Sequence, residues 1–288
     1  MTDLQSSQKL RGVLLVASGV LIISFDALLV RLAAVDGWNV SFWRGGFMAL
    51  SMVPLCWRNS LKTKTATTNC KGLWPAALLM AISTLALVLS FTMTKAANAV
   101  VILSASPLFA AVFSQLFLRE KCLKKTWLAI FICIGGVAWD MSGSNGSGNL
   151  TGDLLAVVSA ICIGGYFTIY RRYPELSPPS VIIRAGVMMA LTALTFATPF
   201  TLPLISYGWL MLAGLVQMPA ASLLMAASTR YLPAAEVSLF LLLETILAPI
   251  WVWLVIGELP PETTLAGGIL ILLTLILHTL AGFWGEKI

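Results

Sequence analysis

What most limits the architecture of this chain is a recurrence: stretch after stretch of about 20 apolar residues, each closed by charges or by Pro, Gly or Asn clusters. A helix of that length crosses a hydrocarbon core about 30 Å thick. Ten such stretches can be marked, approximately Gly12 to Leu32, Trp38 to Trp57, Leu73 to Thr94, Ala97 to Leu118, Thr126 to Met141, Asp153 to Tyr173, Pro179 to Thr198, Leu204 to Tyr231, Ala234 to Ile256 and Thr263 to Trp284. Together they take up about 200 residues of the 288, which leaves short loops and no room for a soluble domain. Only 10% of the residues are charged against 59% hydrophobic, whereas a water-facing surface normally draws on about 25% charged residues. The expected fold class is therefore an all-α integral membrane protein with ten transmembrane helices, since lipid offers the backbone no hydrogen-bond partners and helices satisfy their own. Soluble enzyme and DNA-binding classes are excluded on the same ground.

The formal net charge of +6 is a topological signal. With the N-terminus placed inside, Lys9, Arg11, Arg58, Lys62, Lys64, Lys71, Arg119, Lys121, Lys124, Lys125, Arg171, Arg172, Arg230 and Lys287 all fall on the inner side. Only Arg31 and Lys95 fall in outer loops. Basic residues concentrate on the cytoplasmic side of membrane proteins, so both termini are expected in the cytoplasm. The charges are spread over short segments and not gathered on one face, which argues against nucleic acid as a partner. The first apolar stretch reads as a retained span, because no clear cleavage site accompanies it. Five cysteines, Cys56, Cys70, Cys122, Cys133 and Cys162, form no C-x-x-C pair, so no metal, redox site or cofactor is expected.

The sequence also repeats itself. At an offset of 140, Gly12 matches Gly152, Arg31 matches Arg171, Arg44 matches Arg184 and Gly46 matches Gly186; at 138, Ala97 matches Ala235 and Glu120 matches Glu258. Apolar matches arise by chance in such a sequence, so the weight rests on the Arg44/Arg184 and Glu120/Glu258 pairs. The expected organisation is a first five-helix repeat over 1–141, a linker over 142–151 with the composition Ser-Gly-Ser-Asn-Gly-Ser-Gly-Asn, and a second repeat over 152–288. Five is odd, so the second copy enters the membrane from the opposite side, as in the inverted repeats of many secondary transporters.

Two five-helix halves, each with a proline within its fourth span and a Glu at that span's end, carry a resemblance. The first copy runs from Ala99 through Pro107 to Leu118-Arg-Glu120, and the second from Val237 through Pro249 to Ile256-Gly-Glu258. In these features the chain resembles the EamA-type members of the drug/metabolite transporter superfamily over nearly its whole length. The resemblance implies a carrier of the inner (plasma) membrane with a central cavity between the halves, often exporting amino acids, metabolites or toxic compounds. Family members typically carry Leu-Gly-Glu where this chain has Leu118-Arg-Glu120 and Ile256-Gly-Glu258.

Charges inside hydrocarbon are expensive and mark functional positions or buried pairs. Glu244 lies about 15 Å into its span, near the midplane. It reads as a substrate or proton-coupling group, or as the structural partner of a neighbouring polar residue; its repeat mate is Ser106. Asp26 and Arg44 lie at equal depth on consecutive spans, which permits an ion pair, read either as a brace between helices or as an outer gate. Arg184 has Tyr166 where the first half offers Asp26, so it either snorkels to headgroups or binds an anionic substrate group. The single histidine, His278, reads as a packed side chain or a proton-exchanging one. Pro107 and Pro249 each remove a backbone hydrogen bond and are expected to kink their spans. Ser106, Tyr166, Tyr170, Phe240 and Trp43 are candidates for the cavity lining, and Trp38, Trp57, Trp74, Trp209 and Trp284 for interfacial anchors.

With no Walker-type loop in the sequence, transport without ATP is expected, by alternating access and either coupled to protons or down a gradient. A cavity with both carboxylate and guanidinium suits zwitterions such as amino acids, and an apolar lining also admits a vitamin or a neutral aromatic. An importer of a vitamin or other metabolite, or a passive channel, is the alternative reading within transport. A membrane-embedded enzyme is disfavoured, because only one histidine and two deep carboxylates on separate helices are present. The expected partners are a small-molecule substrate and the bilayer; a homodimer is compatible with these features.

Overall fold

The computed structural model describes residues 2–62, 71–93, 99, 102–120, 124–142, 150–257, 269–270, 273–274 and 277. His278, Glu258, most of the linker and most of the tenth expected span lie outside them. The described residues are helical, with no strand. In order the elements are α1 (Thr2–Ile23), α2 (Asp26–Ala33), α3 (Gly37–Lys62), α4 (Leu73–Met93), α5 (Ser106–Phe113), α6 (Lys124–Ser142), α7 (Leu150–Arg172), α8 (Pro178–Leu194), α9 (Leu204–Met211), α10 (Met218–Ser228), α11 (Ala234–Phe240) and α12 (Glu244–Ile256). Among the described residues, five helical stretches are long and apolar enough to cross a membrane: Ser7–Ala33, Leu73–Met93, Leu150–Arg172, Leu204–Ser228 and Ala234–Ile256. Ser106–Leu118 and Pro178–Leu194 are shorter apolar helices. Leu14, Leu50, Phe131, Leu191 and Leu254 stand exposed on the outside, an arrangement suited to lipid and foreign to a soluble surface. Of the five anchor candidates, Trp57 and Trp74 are likewise exposed, Trp38 and Trp209 are half-buried, and Trp284 lies outside the described residues.

Several spans are broken, and the breaks are chemically supported. The first span stops at Ile23 and restarts at Asp26. The carbonyls freed there accept hydrogen bonds from the side-chain amide of Gln217, at 3.3 Å to Ile22 and 3.1 Å to Ile23. The Ser24 hydroxyl donates to the Leu21 carbonyl at 2.7 Å and accepts from the Trp251 indole at 2.8 Å, while Phe25 stacks on Trp251 at 4.4 Å. Polar backbone in lipid must find such partners within the protein. Gln217 itself closes a π-helical turn, Leu212–Gln217, that joins α9 to α10. Pro219, near the start of α10, cannot donate to the turn before it.

The fourth span of each half is interrupted at the same repeat position. In the first half a turn at Ser104–Ala105 precedes α5, which starts at Ser106 with Pro107 in its first turn. In the second, a 3-10 turn at Leu241–Leu243 precedes α12. Pro107 therefore lies just after the interruption in its half, whereas Pro249 lies inside the continuous helix α12. α5 itself runs on into a π-helical turn, Ser114–Leu118.

Packing between the halves is reciprocal. α3 packs on α8 and α5 on α11, each helix meeting its own repeat counterpart; α4 packs on α7, and α1 on α10, the same partnership with the halves exchanged. The α3–α8 crossing depends on glycine. A Cβ on Gly45 would stand 2.6 Å from the Gly186 carbonyl oxygen and 2.9 Å from the Ala190 nitrogen. One on Gly186 would collide with the Gly45 carbonyl and come within 3.0 Å of the Ala49 nitrogen. Small residues at crossings let helix backbones approach this closely in a membrane.

Candidate functional site

Where α2, α3, α4, α7, α10 and α12 converge, they line a partly open cavity. Its wall is largely apolar, with Met80, Leu87, Ile163, Phe167, Met218 and Met225 among the lining side chains; Ser83, Thr84, Ser222 and Tyr166 add hydroxyls. Its charged lining residues are Asp26, Arg44 and Glu244. The helix breaks meet here as well: Asp26 opens α2 and Glu244 opens α12. Charged and polar groups presented at broken helices are how membrane carriers build sites within lipid.

Asp26 and Arg44 form the expected ion pair. Arg44 Nη1 donates to Asp26 Oδ2 at 2.9 Å, and Arg44 Nη2 lies 2.9 Å from Asp26 Oδ1. The charges are thus paired through one hydrogen bond and one close contact, with Asp26 Oδ1 accepting no hydrogen bond among the described residues. The Arg44 side chain is only 2% exposed and that of Asp26 9%. Asp26 further benefits from its place in the first turn of α2, where the helix dipole favours a negative charge. Arg44 Nε is buried without a hydrogen-bond partner among the described residues.

Glu244 differs from Asp26. Its carboxylate borders the cavity and, among the described residues, forms no hydrogen bond or ion pair; the fixed charges that act on it are Asp26 and Arg44. Of the five lining candidates, Tyr166 borders this cavity, and its hydroxyl has no hydrogen-bond partner among the described residues. Tyr170 is buried behind it, its ring edge-on to Tyr166 at 4.9 Å. Ser106, Phe240 and Trp43 do not line this space. Ser106 is buried at the start of α5 and Phe240 at the end of α11. The Trp43 indole donates to the Pro199 carbonyl at 2.9 Å, as does the Tyr207 hydroxyl, and its ring packs on Phe47 and Tyr207. It therefore ties α3 to the loop that precedes α9.

Arg184 stands apart from the cavity too. Its Nη1 donates to the Ser180 carbonyl at 3.0 Å on its own helix, and its guanidinium lies 5.2 Å from the centre of the Trp74 ring. A carbonyl and an aromatic face replace the carboxylate that Arg44 has. Elsewhere Arg171 Nε donates to Glu120 at 3.0 Å, while its Nη1 reaches the carbonyls of Thr229 and Arg230 at 3.2 and 3.3 Å. This links the ends of α7, α10 and the segment after α5.

The sequence matches the model of the EamA-like transporter family twice, over residues 10–139 and 150–280. The chain belongs to the EamA-like transporter family. That family lies within the drug/metabolite transporter superfamily, and membership makes the chain a multi-pass membrane protein of a transporter family and not of an enzyme family. Among solved structures, one described as "Crystal structure of protein" superposes with a TM-score of 0.79 at 15% identity, over 96% of this chain and 99% of its own. At that identity the likeness is one of fold. No curated protein matches the sequence at a significant level.

Proposed function

We propose that this EamA-family protein is a secondary carrier that moves a small amphipathic molecule through the central cavity by alternating access. Ten spans in two inverted five-helix halves, over 1–141 and 152–288, would place both termini in the cytoplasm of a cell whose inner (plasma) membrane holds the protein, with export as the working direction. Support for an exchange of the halves comes from the reciprocal packing of α1 on α10 and α4 on α7. The observation that carries the reading is Glu244, a carboxylate on the cavity wall at a broken helix that has no partner among the described residues. An ionisable group kept inside a membrane without a permanent partner is a functional group by default. Glu244 takes up and releases a proton or the cargo as the cavity changes sides, while Asp26, Arg44 and Tyr166 face it across the same space.

Proteoliposomes test this. Flux of a radiolabelled amphipathic amine is expected to saturate with concentration. Glu244→Gln is expected to cut the rate about tenfold or more, as loss of a buried charged contact does, and to flatten its dependence on pH. Unchanged rate and pH profile in the variant would remove Glu244 from the mechanism, and flux that never saturates would make the protein a pore.

A further inference from the structure

We propose that the molecule accepted by this cavity is an organic monocation, with one ammonium-type charge, an apolar body and no carboxylate. This rests on the carrier reading above and narrows it. Charge bookkeeping in the cavity leads to it. Arg44 Nη1 donates to Asp26 and Nη2 lies against the same carboxylate, so the two charges of the pair cancel. Among the described lining residues Glu244 is then the charge without a counter-charge. A cation meets it directly. A zwitterion carries no net charge and would leave the cavity with one uncompensated negative charge, which is costly at membrane depth. The presence of a guanidinium first suggested zwitterions; the Asp26 carboxylate beside it already balances its charge.

The rest of the wall fits the same cargo. The Tyr166 ring borders the cavity beside Phe167, and aromatic faces attract cations. Met80, Met218 and Met225 supply flexible, polarizable surface that adapts to apolar bodies of differing shape.

The experiment is equilibrium binding of four matched probes to the purified full chain in detergent at neutral pH: phenethylammonium, phenylalanine, 3-phenylpropanoate and 2-phenylethanol. Wild type is expected to bind phenethylammonium saturably and about tenfold or more tighter than the other three. Glu244→Gln is expected to erase the preference, so that the cation binds no better than the alcohol. Asp26→Asn, which frees the Arg44 fork, is expected to gain affinity for 3-phenylpropanoate; should that variant fail to fold, the wild-type series and Glu244→Gln still decide. Phenylalanine or 3-phenylpropanoate binding as tightly as phenethylammonium would overturn the proposal. So would the absence of saturable phenethylammonium binding, or an unchanged preference in Glu244→Gln. Because binding needs no transport, the two readings separate. Cation preference without flux of any probe in proteoliposomes would sink the carrier and leave the site, while saturable flux with the opposite charge preference would do the reverse.

Discussion

Replacing Asp26 with alanine is expected to lower the free energy of unfolding by about 3–5 kcal/mol, the usual cost of stranding one member of a buried ion pair. The Arg44 side chain is 2% exposed, and its Nε already lacks a partner among the described residues, so no solvent compensates for the lost carboxylate. A guanidinium cannot escape by losing its proton. Arg44→Met is expected to cost less, because the carboxylate it leaves behind sits in the first turn of α2, in the favourable field of that helix. The double variant Asp26→Ala/Arg44→Met is expected to recover much of the loss, since replacing both charges removes the desolvation cost along with the attraction. Chemical unfolding in detergent micelles reads all three. If Asp26→Ala proves as stable as wild type, Arg44 is not buried against Asp26 as described.

The second large effect is expected at the α3–α8 crossing. Gly186→Val should destabilise the fold by about 3 kcal/mol, at the upper end for overpacking, because the obstacles are backbone atoms: the Gly45 carbonyl and the Ala49 nitrogen. A flexible side chain could turn aside; two helix backbones can only separate, and these two join the halves. Gly46→Ala is the control. A Cβ on Gly46 meets nothing within 4 Å, so it is expected to leave stability within about 0.5 kcal/mol of wild type. Thermal unfolding in the same micelles compares them, and equal behaviour of the two variants would mean that the helices do not meet at Gly186.

These expectations also show how far the sequence was legible. The family was readable because its signals are repeated and spaced: Arg44 with Arg184, and Glu120 with Glu258. The Asp26–Arg44 contact was readable because helix rise converts a residue count into depth, and both lie equally far from one end of their spans. The break between Ile23 and Asp26 was not, since neither Gly nor Pro marks it and its support, Gln217 and Trp251, is distant in the chain. Gln217 carries a signal that a search for charges passes over: an amide deep in an apolar run must hydrogen-bond within the protein. In the fourth spans a proline removes a donor without dictating where the helix yields, which is why the 3-10 turn falls at Leu241–Leu243 and not at Pro249. Repeat register matched Gly186 with Gly46, yet Gly45 makes the contact, because register aligns equivalent positions whereas packing across an axis follows the facing surfaces. Most of the cavity wall is Met, Leu, Ser and Thr, residues indistinguishable in sequence from lipid-facing or core positions; only the convergence of the helices sets them apart.

Alternating access through the central cavity is tested most directly by a thiol placed in it. Ser222 borders the cavity and is nearly buried, and cysteine is close to it in size. In a background lacking the five native cysteines, Ser222→Cys is expected to react with a membrane-impermeant maleimide in both right-side-out and inside-out vesicles. Saturating phenethylammonium should protect it in each orientation. Labelling confined to one vesicle orientation, whatever the ligand, would contradict an account in which the cavity opens in turn to the two sides.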